Sequence, residues 1–498
     1  MNVSFITQYT SSIDADAAIL LQVEKFEKTF GLELVDPNRI IKKGYLIENF
    51  QGSFGSQIKF LYLEGSPFAF VKVVGLGKEQ SINDETWLKA GGLCVSEIKN
   101  YPKKVVVFAD ALGIDVSTTQ IMNFVLGALL KQYSFECYYT DKKKSKQKNK
   151  NILELVIITK NAENCQKELK QVQAICEGVN LTKELVNEPA NILGTEEFVE
   201  KIKKLEKLNV KVQVLDKEKL KELGMNALLS VAQGSSRPPY LVIMQWNGSD
   251  NKEEEPLAFV GKGVVFDSGG ISIKHSSGME DMKADMGGAG TVVGLMHTLA
   301  TRKAKINVTG VVGLVENMPS CHAQRPGDIV TSMSGQTIEV INTDAEGRMV
   351  LADVLWYCKT KIQPKLIVDL ATLTGAIRIA LGEQHAGLFS NNEALAKQII
   401  KSGEATSEKV WQLPLGLEYD KLIDSKFADM KNSSGGSAGS ITAAQFLKRF
   451  VDEKTPWAHI DIAAVCMGNK LNEFNNSWAS GFGVRLLNYL IKNYYEQK

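Results

Sequence analysis

Charged side chains set into apolar runs, where no solvent-facing stripe explains them, mark the places in this chain that could do chemistry. In the first cluster the stretch PLAFVGKGVVF carries Lys262, ends in Asp267 at a Ser-Gly-Gly turn, and is followed by Lys274 and then, within MEDMKADMGG, by Asp285. Asp285 directly precedes a Gly-rich helix start, MGGAGTVVGLMHTLATRK. In the second cluster, TIEVINTDAEGRMVLADVLWYCKT, a strand-like run ends in Asn342 and Thr343, and Asp344, Glu346 and Arg348 straddle the turn into an apolar helix. Two carboxylates two residues apart across such a turn can converge on one point, as they could not within a regular helix. Asp344 is also placed to cap that helix. Four carboxylates crowded in one crevice repel one another, and their pKa values rise unless they are compensated. Two divalent cations would match that charge, and hard oxygen ligands suit manganese, magnesium or zinc rather than copper. Lys262 could join the ligand set only as the neutral amine, which burial and a neighbouring dication favour and which couples metal binding to proton release. An ion pair with Asp267 is its simpler alternative.

The elements that must position these residues follow from the spacing of apolar runs. Beyond residue 190 the strand-like segments NVKVQVL, YLVIMQW, PLAFVGKGVVF, INVTGVVGLV, TIEVINT, KLIVDLA and AHIDIAAV alternate with helical patterns, which predicts one large domain with a buried, mostly parallel sheet. The charged residues are then expected at strand ends of that one sheet, where strand ends and helix N-termini form the ligand crevice. Before it, short β-like runs at 3–7, 60–64, 68–76, 105–109 and 152–159 surround an apolar helix, STTQIMNFVLGALLKQY, that opens with a Ser117 and Gln120 capping box. A polar, helix-compatible stretch at 161–185 leads to NEPANIL, where Pro189 breaks it. The expected architecture is a small N-terminal α/β domain over residues 1–165, then a larger C-terminal α/β/α domain over residues 166–498 with a mostly parallel central sheet.

Composition narrows the classes of function. With 44% apolar and 23% charged residues, the 498-residue chain has ample core-forming content, which excludes intrinsic disorder. Its 58 basic and 57 acidic side chains leave a formal charge of +1, which argues against a nucleic-acid partner. The one dense basic run, DKKKSKQKNK at 141–150, reads as a solvated loop. No run reaches the ~18 apolar residues of a membrane span. The N-terminus has Asp14 and Asp16 where a signal peptide would be apolar, so a cytoplasmic location without membrane contact is expected. Seven cysteines with no C-x-x-C pair suggest reduced, mostly buried thiols rather than disulfides or a thiolate zinc site.

The strings VGKGVVFDSGGISIK, MKADMGG and NTDAEGR, with NEPAN before them and DLATLTGA and GSITAAQFL after, closely resemble the leucyl aminopeptidases, also called cytosol aminopeptidases. The resemblance is strong from about residue 165 to about residue 495, whereas the first domain matches in length and α/β character. It implies a metallo-aminopeptidase domain over 166–498 that releases N-terminal residues, preferably leucine and other apolar ones, from peptides. It also implies two divalent metal ions per subunit, manganese or zinc, with magnesium and cobalt as further options. Lys262, Asp267, Asp285 and Glu346 would hold the tighter ion, and Asp267, Asp344 and Glu346 the more exchangeable one. Lys274 and Arg348 match the two catalytic residues that are not ligands, and Arg348 would hold a bicarbonate acting as general base. In the implied mechanism a metal-bridging hydroxide attacks the peptide carbonyl while Lys274 and a metal stabilise the oxyanion. A first side-chain pocket would be lined by Met282, Thr372, Gly375, Ala463 and Cys466. Its selectivity would be broad, since one methylene is worth only about 1–3 kcal/mol. Cys466 departs from the methionine of the animal enzymes, and His275 from the proline that follows SIK in many relatives. A homohexamer, a dimer of trimers, is the implied assembly.

Rival chemistries find less support. Gly435 to Gly439 fits G-x-S-x-G, but FADMKNSS before it is not the buried strand of a nucleophile elbow. GGAGTVVG at 287–294 misses the dinucleotide-binding spacing, and no HExxH is present. DNA binding by the assembled particle, which some bacterial members perform, is the alternative function. Neither the neutral charge nor the single basic run supports it.

Overall fold

A computed structural model describes the chain except for residues 26–28, 97–103, 112–113, 142–153, 252, 469–470 and 497–498. The basic run at 141–150 therefore lies, from residue 142 on, outside the described residues. The chain divides into two units, Met1–Cys176 with Asn469–Ser477, and Glu177–Gly468 with Trp478–Lys498. This division falls after Cys176, inside the helix Ala162–Asn187, which runs unbroken because no proline interrupts the segment before Pro189.

The first unit holds a six-stranded sheet of β1 (Asn2–Ile6), β2 (Ala17–Val23), β3 (Gln57–Leu61), β4 (Phe70–Gly77), β5 (Lys104–Phe108) and β6 (Glu154–Ile158), in the order β1-β6-β5-β2-β4-β3. Every neighbouring pair is parallel except β3 with β4. No strand is expected at β2 from the sequence, yet all seven residues of AAILLQV are buried between β5 and β4. A strand covered on both faces shows no alternation, so its apolar run cannot be told from a helix by period. The helix Thr118–Lys131 starts at the expected box, with Ser117 and Gln120 bonding reciprocally.

The second unit is built on β7 (Lys211–Leu215), β8 (Tyr240–Asn247), β9 (Leu257–Asp267), β10 (Asn307–Asn317), β11 (Ile329–Thr331), β12 (Thr337–Glu339), β13 (Leu366–Ala371), β14 (Ala386–Ser390), β15 (Val410–Gln412), β16 (Met430–Lys431) and β17 (Trp457–Asp461). Eight of these form the main sheet, ordered β15-β14-β17-β13-β9-β10-β8-β7. The central strands β17, β13, β9 and β10 run parallel, while β14 joins β17 and β8 joins both β10 and β7 antiparallel. Along β9 alternate residues enter two cores. Leu257 and Phe259 pack with Val292, Leu295 and Leu299 of the helix Gly287–Thr301, and Ala258 and Val260 with Val350, Val354 and Leu355 of the helix Glu346–Tyr357. The sheet is thus sandwiched between helices, the α/β/α arrangement expected. TIEVINT is the exception: β12 pairs with β11 and β16 in a separate three-stranded sheet. Among the described residues no helix is long and apolar enough to cross a membrane.

Close backbone contact sets the depth of the helix Gly287–Thr301. A Cβ on Gly288 would lie 2.0 Å from the carbonyl oxygen of Leu370, and one on Gly261 would lie 2.6 Å from Cα of Ala289. Only glycine allows this approach, and it seats Asp285, just ahead of the helix, over the strand that carries Lys262.

Candidate metal centre

Asp267 is the last residue of β9, after which the chain turns through Gly269 and Gly270 at φ of 87° and 67°. Its Oδ1 accepts hydrogen bonds from the Gly269 amide (2.9 Å) and from Asn317 Nδ2 (2.8 Å). Its Oδ2 lies 2.7 Å from Lys274 Nζ, and Lys274 also pairs with Asp344. Lys274 is brought in by the loop after the glycines, whose backbone is tied to Thr343: Ser272 N donates to Thr343 Oγ1 (2.8 Å), which donates to Gly269 O (2.6 Å).

Lys262 sits in the middle of β9, not at a strand end, with 2% of its side chain exposed. A Cβ on Gly347 would lie 2.5 Å from Lys262 Cε, so glycine at 347 makes room for the lysine. Its Nζ contacts Asp285 Oδ1 (2.7 Å), Glu346 Oε1 (2.9 Å) and the Thr372 carbonyl (2.8 Å). The simple Lys262–Asp267 pair is therefore not what forms, since Asp267 takes Lys274 instead. Asp344 does not cap the following helix: the capping position is Ala345, and no side chain bonds there. The loop after β12, rather than a strand end of the main sheet, delivers Asp344 and Glu346. Carboxylate oxygens of Asp267, Asp344 and Glu346 all lie within 4.8 Å of one another, and Lys262 joins Asp285 to the group.

Burial and mutual repulsion shape the titration. Burial and the Glu346 charge push Asp267 up to about 7 against the pull of Lys274 and Lys262. Burial likewise raises Asp285 well above the usual carboxylate range and raises Asp344, with Lys262 opposing in the first and Lys274 in the second. Glu346 is lowered, because the two lysines outweigh its burial. A neutral Lys262 was expected from burial together with a neighbouring dication; burial alone does push it down, but without a cation the charges of Asp285, Glu346 and Asp267 outweigh it and its pKa is raised. Arg348, in the first turn of the helix Glu346–Tyr357, is lowered to about 10 by burial, opposed by Glu346 and Asp461. It donates from Nη1 to the Asn432 carbonyl (2.8 Å), and its buried Nε has no partner among the described residues.

Of the residues read as a side-chain pocket, Thr372, Met282 and Cys466 lie by Asp285, and Ala463 and Gly375 lie by Asp461. Thr372 Oγ1 donates to Asp285 Oδ1 (2.8 Å), and Asp285 N donates to the Met282 carbonyl (3.2 Å). A Cβ on Gly287 would meet Cys466 Sγ at 2.3 Å and Thr372 Cγ2 at 3.4 Å. Asp461 Oδ1 accepts from the amides of Leu373 (3.1 Å) and Ala463 (3.2 Å), and its Oδ2 from Thr374 Oγ1 (2.6 Å), the cap of the short helix beginning at Gly375. Thr372 and Cys466 are buried, Met282 and Ala463 half-buried, and Gly375 exposed. The sequence reading overlooked Asn317, which donates both to Asp267 Oδ1 and to the Thr343 carbonyl (3.1 Å). As a polar residue ending an apolar strand, it carried the signal that singled out Asp267. His275 is exposed, and the Gly435 to Gly439 segment forms a loop leading into the helix Gly439–Lys448.

The donor set fits divalent cations. Asp285 Oδ2 and Glu346 Oε2 are buried and have no hydrogen-bond donor among the described residues. Such oxygens are costly to bury unless something positive meets them, and clustered carboxylates are hard ligands of the kind that bind Mg²⁺, Mn²⁺ or Zn²⁺.

The chain is similar to known proteins over its whole length. The family model described as cytosol aminopeptidase family, catalytic domain, matches residues 180–488, and the one for the N-terminal domain of that family matches residues 35–142. A protein named as a probable cytosol aminopeptidase in Phytoplasma australiense is 66% identical over 100% of both chains. One so named in Agrobacterium fabrum is 54% identical over 98% of both. Among solved structures, a single-residue mutant of tomato leucine aminopeptidase matches with TM-score 0.87 and 32% identity, covering 99% of this chain and 97% of that one. The bottromycin maturation enzyme BotP in complex with Mn matches with TM-score 0.84 and 30% identity, covering 96% of this chain and 99% of that one. Matched along its whole length, and with carboxylates and lysines converging on one cation-seeking cluster, the chain belongs to the cytosol aminopeptidase family of metal-dependent peptidases.

Proposed function

We propose that this peptidase releases single N-terminal residues, leucine and other apolar ones foremost, using two divalent cations held by Lys262, Asp267, Asp285, Asp344 and Glu346. The observation that carries the reading is the convergence of Asp267, Asp344 and Glu346 within 4.8 Å, beside Lys262 and Asp285. Lys262, Asp267, Asp285 and Glu346 form one set and Asp267, Asp344 and Glu346 the other; manganese or zinc suits both, with magnesium or cobalt as substitutes. When bound, the cations supply an activated water near neutral pH and polarise the scissile carbonyl.

The chain's own groups do the rest. Lys274 has its Nζ between Asp267 and Asp344 and stays protonated, because these carboxylates and Glu346 outweigh its burial. It is placed to donate to the oxyanion that forms as the carbonyl is attacked, an interaction that stabilises the transition state more than the substrate. Arg348, whose buried Nε meets no partner among the described residues, suits a small anion such as bicarbonate, which would serve as the proton acceptor. Thr372, Cys466, Met282, Ala463 and Gly375 are the proposed walls for the first side chain, with open space over Gly375. We also assign the homohexamer and the cytoplasm to this chain on its relatives' likeness.

The test is hydrolysis of a leucyl chromogenic amide by chelator-stripped protein, before and after addition of Mn²⁺, Zn²⁺ or Mg²⁺, with Asp344→Ala and Lys274→Ala alongside. Activity should vanish on stripping, return with metal, and be lost in both variants. Folded wild-type protein that stays inactive with every metal, or a Lys274→Ala enzyme as fast as wild type, would overturn the proposal.

A further inference from the structure

We infer that Asn432 is a positioning residue for the centre, acting through the loop that carries Asp344 and through Arg348. The inference rests on the metal assignment proposed above. Asn432 follows β16 directly, and the parallel register of β16 with β12, Ile338 opposite Met430 and Glu339 opposite Lys431, brings it beside the loop leaving β12. It is fully buried. Its Oδ1 accepts from the amides of Ile341 (2.9 Å) and Asn342 (3.3 Å), and its Nδ2 donates to the carbonyls of Asn342 (2.7 Å) and Ala345 (3.4 Å). Its own amide donates to the Glu339 carbonyl (2.9 Å), and its carbonyl accepts from Arg348 Nη1 (2.8 Å).

One side chain therefore uses its full complement of two donors and two acceptors on the backbone of a single loop. Between Glu339, where β12 ends, and Glu346, where the helix begins, the loop's own bonds are one turn, from the Ala345 amide to the Asn342 carbonyl (3.2 Å), and one from the Asp344 amide to Asn342 Oδ1 (2.9 Å), and Asn432 grips the backbone on both sides of them. Asp344 lies inside the span that Asn432 grips, between its bonds to Asn342 and Ala345. The backbone carbonyl of the same residue fixes one guanidinium nitrogen of Arg348, so ligand and cation are referred to one anchor. No other amino acid reproduces the pattern. Aspartate matches the shape but would turn an acceptor toward two carbonyl oxygens, and alanine would leave the loop's polar groups without partners.

Groups that orient a ligand typically change metal affinity or activity about 10- to 100-fold when replaced. Lys262 and Asp285 lie outside the gripped span, so a loss confined to the cation that needs Asp344 separates positioning from a general weakening of the fold. The experiment titrates chelator-stripped full-length protein with Mn²⁺, reading free Mn²⁺ by electron paramagnetic resonance, for wild type, Asn432→Asp and Asn432→Ala. The same samples are assayed for kcat and KM on a leucyl amide. The expected result is two Mn²⁺ in wild type and, in the variants, a first Mn²⁺ bound as in wild type and a second bound about 10- to 100-fold more weakly. The variants' kcat should fall while KM stays close to wild type. Two wild-type-like Mn²⁺ affinities in either folded variant overturn the inference and leave the proposed function standing. Wild type that takes up two Mn²⁺ but hydrolyses nothing overturns the function and not the anchor; wild type that takes up none overturns both. Should neither variant fold, amide exchange in the wild type decides: the N–H groups of Ile341 and Asn342 should be protected, and fast exchange at both refutes the anchor.

Discussion

Replacing Lys262 by methionine keeps most of the side chain's volume while deleting an ammonium that touches three acceptors. Asp285 Oδ1 at 2.7 Å, Glu346 Oε1 at 2.9 Å and the Thr372 carbonyl at 2.8 Å would all lose their donor inside a core where the lysine side chain is 2% exposed. Removing one partner of a buried ion pair costs about 3–5 kcal/mol, because the remaining charge is stranded. At about 2 °C per kcal/mol for a large domain, stripped Lys262→Met should melt roughly 6–10 °C below stripped wild type. The cost must depend on pH, since Asp285, already raised by burial, can take up a proton in place of the lost cation. The deficit should therefore be large at pH 8 and shrink at pH 5. Calorimetry of the two stripped proteins at both values, with Mn²⁺ added to parallel samples, makes the comparison. Where the variant still binds Mn²⁺, a thousand-fold excess over Kd should restore about 4 kcal/mol. Equal melting temperatures at pH 8, or a deficit that does not change between pH 5 and pH 8, would refute the argument that this ammonium neutralises the carboxylates from within.

Three further outcomes follow from the same geometry. Asp267, at about 7 in the folded chain against an ordinary 3.8, holds a proton that the unfolded chain releases. The stability of the cation-free protein should thus fall by roughly 4 kcal/mol as pH rises from about 4 to about 7, while Mn²⁺ affinity rises over the same interval, both readable by denaturant titration and metal titration. Gly288→Ala places a methyl 2.0 Å from the Leu370 carbonyl oxygen, which cannot move aside; destabilisation of at least about 1–3 kcal/mol and weakened metal uptake are expected in thermal unfolding and Mn²⁺ titration. Cys137 and Cys321 are exposed and the other five cysteines buried, with Cys466 pushed up to about 12 by burial. Brief alkylation of the native protein followed by mass spectrometry should label the first pair and spare Cys466.

How much of this could be read from the chain alone depends on the kind of residue. Asp267, Asp285, Asp344 and Glu346 were legible because a charge set in an apolar run demands a reason; Asp267, Asp344 and Glu346 come within 4.8 Å of one another, and Asp285 is joined to them through Lys262. The route by which they meet was not. Lys262 rises from mid-strand, and β12 belongs to a small separate sheet, because strand pairing depends on partners distant in the chain that no local pattern names. The strand β2 was hidden for the opposite reason, its burial on both faces having erased the alternation. Asn432 was illegible altogether, since an asparagine in KNSSGG looks like any loop residue until the register of β16 brings it to the 341–345 backbone.

The lysines that reach into the carboxylate cluster bear on how the protein comes to hold its ions. Small metal-stapled domains stay unfolded until an ion arrives, because they bury too little apolar surface to fold without it. Here Lys262 and Lys274 already meet Asp285, Glu346, Asp267 and Asp344 from inside the chain. Synthesis and loading are thereby separate events: the polypeptide can leave the ribosome, fold and wait with its ligands gathered. The ions it carries then record the supply it met afterwards, so batches of one sequence grown on different trace metals would share a fold and differ in turnover.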